Sequence, residues 1–203
     1  MNLTTIAKQL KDLQKAVSHL ENITIVKLSK KACFKLLDEV ENEELYTVKK
    51  DIFDPDRIRK TDTSLDKDST EYYVGYLGAN KPENVTAFIA INYDRPSHGF
   101  VYINQLVGVK RGYGFKTLKV FINKFKSYKV WLIASPKYNK ETDTYSENKK
   151  LNSEYRKKMT GLKEFSIEAN FGPKAKCKVS WFYTPNCNDT IVKMVKDGNY
   201  YGI

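Results

Sequence analysis

The segment from Phe100 to Ser135 constrains the fold more than any other, because four successive elements can be read in it without a gap. Phe100 to Val109 is apolar on both faces, with Val101, Ile103, Val107 and Val109 on one side and Phe100, Tyr102 and Leu106 on the other. Such a run predicts a central strand covered from both directions. KRGYGFKTL follows, a turn carrying Gly112 and Gly114. A helix from Phe115 then gathers Leu118, Phe121, Ile122 and Phe125 on one face, with Lys116, Lys119, Asn123 and Lys126 away from it. It ends near Ser127, and Val130 to Ala134 reads as another buried strand. Strand, glycine turn, helix and strand in this order put a helix N-terminus at a sheet edge, where an anionic group can dock.

Charge points to the same place. The chain has a formal net charge of +11, yet between Asp94 and Glu141 there is no acidic residue. Ten basic residues stand in that interval, so the remainder of the chain is nearly neutral. A local anion site explains this distribution better than a uniform basic coat. Lysine also far outnumbers arginine, although arginine is the better residue for bidentate phosphate contacts, so part of the excess is compositional.

At 203 residues the chain supports one domain with one substantial core, here taken as residues 1–203. No apolar run approaches the roughly 20 residues that cross a bilayer, and the N-terminal stretch has helical spacing instead of an export signal. A soluble cytoplasmic protein without membrane contact is expected. Cys33, Cys177 and Cys187 have spacings that suit neither a disulfide framework nor a zinc site, and only His19 and His98 are present. Idle thiols in a reducing compartment and no metal are expected.

Around the central segment, residues 4–20 predict an extra amphipathic helix with Ile6, Leu10, Leu13, Val17 and Leu20 in a narrow stripe. The stripe packs on its own domain or against a second copy, as in a homodimer. Ile23 to Leu28 reads as a strand, and Ser29 as the cap of a helix that runs through Ala32, Leu36, Leu37 and Val40. Residues 47–69 lose all periodicity and predict an exposed connection. Two strands, Glu71 to Leu77 and Val85 to Tyr93, flank the loop GANKPEN. Residues 136–163 are polar, with helical promise only in LNSEYRKKM; Phe165 to Phe171 and Cys177 to Tyr183 are the last strands, and Asp189 caps a short closing helix.

In the turn, Gly112 and Gly114 allow close backbone approach and positive φ, and the helix that starts there offers unpaired amides with partial positive charge. A pyrophosphate fits these amides, with Arg111 and Lys116 adding charge. Neither G-x-G-x-x-G nor G-x-x-x-x-G-K-[ST] occurs in the chain, which removes the dinucleotide and P-loop readings. The turn resembles the acyl-CoA-binding motif Q/R-x-x-G-x-G/A of the GNAT superfamily of N-acyltransferases. Arg111 stands at its first place, Gly114 at its fourth, and Lys116 where glycine or alanine is usual. The order of elements from about residue 23 to 184 follows the same layout.

This resemblance implies an α/β (α+β) fold with a mixed, mostly antiparallel central sheet flanked by helices. It implies acetyl-CoA as the cofactor, with the pyrophosphate on the amides of Gly112, Tyr113, Gly114, Phe115 and Lys116. Thr117 would add a hydroxyl, and the backbone near Val107 and Val109 would pair with the pantetheine arm. Such enzymes often protonate the leaving thiolate with a tyrosine, and Tyr155 matches that place best, with Tyr145 second. For the base, Asn104 and Gln105 lack the chemistry; His98, Asp94 and Glu168 remain. The expected activity is N-acetyl transfer to an amine, small molecule or protein. The rival is an inactive domain that uses its basic face for nucleic acid or a protein partner.

Overall fold

Ser29 starts the first helix of the described residues, as its position predicts. Its hydroxyl accepts from the Ala32 amide at 3.2 Å and its carbonyl from the Cys33 amide at 2.9 Å, which satisfies donors that a first helical turn leaves open. The strand before this cap is β1 (Ile23–Leu28) and the helix is α1 (Lys30–Asn42). The computed structural model describes residues 22–42, 70–94, 100–139, 141–170, 176–187 and 192–193. The expectations for a helix over 4–20, a connection over 47–69, a closing helix from Asp189 and a role for His98 fall outside those residues.

β2 (Thr70–Leu77) pairs antiparallel with β1, Ile23 lying opposite Leu77 and Leu28 opposite Tyr72. GANKPEN forms the expected connection: Gly78 has φ +82°, Pro82–Asn84 makes one 3-10 turn, and the Asn84 side-chain amide donates to the Ala79 carbonyl at 3.0 Å. β3 (Val85–Asp94) and β4 (Phe100–Gly108) follow, then α2 (Gly114–Lys124) and β5 (Lys129–Ile133). β4 and β5 run parallel, Phe100 to Ile103 pairing with Lys129 to Leu132. Burial on both faces of β4 holds only in this paired part. Val101, Tyr102 and Ile103 are all buried, whereas beyond them Val107 and Val109 turn inward and Asn104 and Leu106 are half-exposed.

The polar stretch after β5 contains a hairpin that periodicity did not reveal. β6 (Lys137–Asn139) and β7 (Thr144–Ser146) pair antiparallel, three residues each. Local polar bonds close it: Asn139 Oδ1 accepts from the Glu141 amide at 2.9 Å, and the Thr142 and Thr144 hydroxyls lie 2.7 Å apart. The helical promise is met by α3 (Lys149–Lys158), and the chain closes with β8 (Lys163–Asn170) and β9 (Lys176–Tyr183). Among the described residues the main sheet has seven strands, in the order β1-β2-β3-β4-β5-β9-β8. No described helix is long and apolar enough to cross a membrane.

The chain divides into two compact units. One draws on residues up to Ala90 and on Gln105–Phe121; the other draws on Ile91–Asn104 and on the chain from Ile122 onward. The core of the first joins Cys33, Leu37 and Val40 of α1 to Val74, Phe88 and Val107 of the strands. An aromatic cluster marks the second, with Trp131 stacked on Tyr183 at 5.0 Å between ring centres and Phe165 parallel to Trp181 at 6.3 Å.

In the first unit α2 is seated on the sheet at Gly75 of β2. A Cβ there would lie 2.4 Å from Thr117 Cγ2 and 2.6 Å from Thr86 Oγ1. No side chain fits in that space. Gly75→Ala is therefore expected to lower the unfolding free energy by about 1–3 kcal/mol in urea titrations. Adding Thr117→Ser, which removes the obstructing methyl, should recover part of the loss; strictly additive losses would show that this methyl is not what the new side chain meets.

Candidate functional site

Strand β4 leaves the sheet under tight control. The amides of Val109 and Lys110 both donate to the Thr86 carbonyl, at 3.0 and 3.2 Å, and the Lys110 ammonium donates to the Glu83 carbonyl at 3.0 Å. The Tyr113 amide then donates to the Lys110 carbonyl at 3.1 Å, closing a turn in which Gly112 has φ +81°. This left-handed backbone is why glycine stands there. Around the Cβ position of Gly112 there is nothing within 4 Å, so the turn faces open space. Helix α2 begins at Gly114, one residue earlier than its apolar pattern predicts, and the two glycines at strand end and helix start approach closely. A Cβ on Gly114 would lie 3.8 Å from Gly108 Cα.

The side chains sort into two kinds. Arg111 and Lys116 are exposed, and no acidic residue stands in the first turn of α2. The Lys116 ammonium lies 5.0 Å from the Tyr113 ring centre, a cation–π arrangement that carries this side chain away over the aromatic face. A lysine where the acyl-CoA motif has glycine or alanine is thus accommodated outward. Thr117 is different from expectation. It is fully buried, its hydroxyl donates to the Tyr113 carbonyl at 2.9 Å, and it sits 2.8 Å from the Thr86 hydroxyl. Since its single proton goes to Tyr113, Thr86 must be the donor of the second bond. Thr117 therefore anchors the helix instead of presenting a hydroxyl to a phosphate. Val107 and Val109 bury their side chains in the core, leaving only backbone for any ligand.

The candidate acid lies in the second unit. Tyr155 on α3 is buried, its ring centre 4.8 Å from that of Phe182. Burial first, and the neighbouring Tyr102 second, push its phenol above the ordinary value of 10.0, so it stays protonated at neutral pH. Two contacts set α3 itself. Asn148 caps it, accepting from the Leu151 amide at 3.1 Å while its own amide donates to the Ser135 carbonyl at 3.1 Å. Arg156 grips Glu164 of β8 through two bonds of 2.7 Å, which holds that carboxyl below its usual range. An Asn three residues before Leu151 is a cap signal in the sequence, whereas nothing local signals the pairing of Arg156 with Glu164.

The remaining candidates are dispersed. Tyr145 on β7 is half-buried against Ala169, Cys177 and Val179. Glu168 is exposed on β8 opposite Lys178, and Asp94 closes β3. The structure thus gathers Val107, Val109 and Arg111 to Thr117 in the first unit, and places Tyr155, Tyr145, Asp94 and Glu168 in the second. All three cysteines are free and buried. Burial pushes the Cys33 thiol up to about 12, so it is inert at neutral pH.

No protein-family profile matches the chain, and no curated protein matches it in sequence. Solved structures do match in shape. A GNAT-family protein from Chromobacterium violaceum superposes with a TM-score of 0.50 at 11% identity, covering 80% of this chain and 86% of that one. A GNAT-family protein from Bacteroides thetaiotaomicron gives 0.49 at 12% identity, covering 90% and 99%. The spermidine N-acetyltransferase of Vibrio cholerae, solved with CoA and spermine, gives 0.47 at 11% identity, covering 79% and 94%. On the first of these, the chain has the GNAT acyltransferase fold, as the motif resemblance implied.

The two glycines of the turn separate in their response to alanine. Gly112→Ala should destabilise by about 1–2 kcal/mol, because a Cβ at this φ strains the backbone even in open space. Gly114→Ala should be close to neutral, since its Cβ meets only an ordinary contact. Paired melting curves check this; equal losses would mean that the turn is not held in the left-handed conformation.

Proposed function

We propose that this chain is an acyl-CoA-dependent N-acyltransferase that passes an acetyl group from acetyl-CoA to an amine by direct attack in a ternary complex. One observation carries the reading. On a GNAT fold, the glycine turn between β4 and α2 faces open space, is flanked by Arg111 and Lys116, and opens a helix with no acid in its first turn. In this reading the amides from Gly112 to Lys116 hold the pyrophosphate, where they and the helix dipole favour negative charge. Arg111 and Lys116 add charge-assisted contacts, Lys116 exchanging the Tyr113 ring for phosphate. Thr117 keeps the first helical turn in place, and backbone near Val107 and Val109 pairs with the pantetheine arm.

Acetyl-CoA supplies an activated thioester, whose carbonyl carbon forms the new C–N bond as its C–S bond breaks. Tyr155 donates its phenolic proton to the departing thiolate, a task suited to a phenol that burial keeps protonated. The proton released by the attacking amine goes to a base, for which Asp94 and His98 are our candidates.

Acetyl-CoA should raise the melting temperature, a ligand at one hundred times its Kd adding about 2.7 kcal/mol to a folded state that alone binds it. Gly114→Val should remove the shift while circular dichroism remains native. Release of free thiol with a panel of amines reads turnover. Tyr155→Phe should keep the melting shift and lower turnover at least about tenfold, in keeping with loss of a general acid. No shift at millimolar acetyl-CoA, or full turnover by the Tyr155 variant, overturns the respective assignment.

A further inference from the structure

One polar atom on the inner face of α3 has nothing to bond. Asn152 is 1% exposed, and its Oδ1 is buried with no hydrogen-bond partner. The orientation of this side chain is fixed: Nδ2 donates to Glu147 Oε1 at 3.0 Å, and since an ionised carboxylate only accepts, the amide oxygen must point elsewhere. The backbone is held as well, the Asn152 amide donating to the Asn148 carbonyl at 2.9 Å. A dry amide oxygen that nothing bonds costs stability, and in native folds such an atom has a reason.

Helical spacing brings this oxygen to the candidate acid. Residues three apart on a helix are neighbours, roughly 5–6 Å between Cβ atoms, and Asn152 and Tyr155 are the two buried residues of α3. The inference that follows rests on the acyltransfer reading. In that reading the pantetheine arm has backbone partners near Val107 and Val109 and the departing thiolate has Tyr155, whereas the attacking nitrogen has no acceptor beyond its base. An uncharged amide oxygen suits this nitrogen. A carboxylate in its place would favour the ammonium, which has no lone pair to attack with; a carboxamide accepts from the neutral amine without that bias.

We propose that Asn152 Oδ1 accepts one N–H of the attacking amine and thereby selects primary amines as acceptors. The count of hydrogens carries the selection. A primary amine has two N–H bonds: its lone pair forms the C–N bond as the thioester C–S bond breaks, one of its protons passes to the base, and the Tyr155 proton goes to the thiolate. The second N–H stays on Asn152 throughout and becomes the N–H of the product amide. A secondary amine has a single N–H, which the base must take. It leaves Asn152 unpaired in a dry site, a mismatch by which buried polar groups discriminate strongly.

The test is release of free thiol from acetyl-CoA by the full chain, with each amine supplied in its primary and its N-methyl form. The unaltered chain should prefer the primary form by at least about tenfold in kcat/KM. Asn152→Leu, which keeps the volume and removes both polar atoms, should lose that preference by slowing on primary amines alone, and should keep the acetyl-CoA melting shift. A merely structural role would lower turnover on both forms alike, leave the preference unchanged and overturn the proposal. Equal use of the two forms by the unaltered chain overturns it too, and this arm stays decisive if Asn152→Leu folds poorly. Loss of the melting shift in the variant assigns Oδ1 to an amide of the acyl-CoA arm and overturns selection of the amine. Absence of thiol release with every amine overturns the acyltransfer reading together with this inference, whereas release with an unchanged preference in the variant overturns this inference alone.

Discussion

A parallel strand pair cannot be closed by a tight turn, and β4 and β5 are parallel. The chain must leave the far end of β4 and travel back to the start of β5, and α2 is that return path. Two consequences follow from geometry alone. The N-terminus of α2, with its open amides and partial positive charge, has to stand where β4 ends. Its C-terminus has to stand where β5 begins, and there Lys124 complements the opposite end of the dipole. The glycine turn and the start of β5 are thus joined by one obligatory crossover.

What keeps the upper end in register is a contact made of absence. Gly75 leaves room for the Thr117 methyl and the Thr86 hydroxyl, and the two threonines then share a buried hydrogen bond. Thr86 also receives the amides of Val109 and Lys110 on its carbonyl. One residue of β3 therefore holds both the strand leaving the sheet and the helix returning over it. Removing its hydroxyl would leave Thr117 with an unmatched acceptor in a dry interior, where such losses are costly.

How much of this the sequence discloses depends on whether the cause is local. The cap at Ser29, the loop from Gly78 to Asn84, the strands around the glycine turn and the helix that follows that turn all follow from residue type and spacing, and the structure has them. The hairpin of Lys137–Asn139 and Thr144–Ser146 escapes because three-residue strands have too few positions for a period of two to register. Thr117 is misread as a phosphate ligand because its true partners, Thr86 and Gly75, stand thirty-one and forty-two positions away. Nothing in the turn announces them. Asn148 is obscured for a different reason: one of its two bonds is an ordinary cap, yet the lysines after it mask the apolar start of the helix. The glycine turn is legible through its spacing, whereas the placement of the candidate acid and base depends on distant segments.

Both tryptophans of the chain, Trp131 and Trp181, belong to the second unit, where they meet edge-on at 6.2 Å within a cluster that also holds Tyr102, Tyr183 and Phe165. The first unit, with the glycine turn and the Gly75 seat, contains none. Intrinsic tryptophan emission is consequently a one-sided reporter. It follows solvent entry into the aromatic cluster and is blind to local opening of the turn, so that a flat emission trace and a changing amide signal from residues 108–117 would describe the same molecule without contradiction.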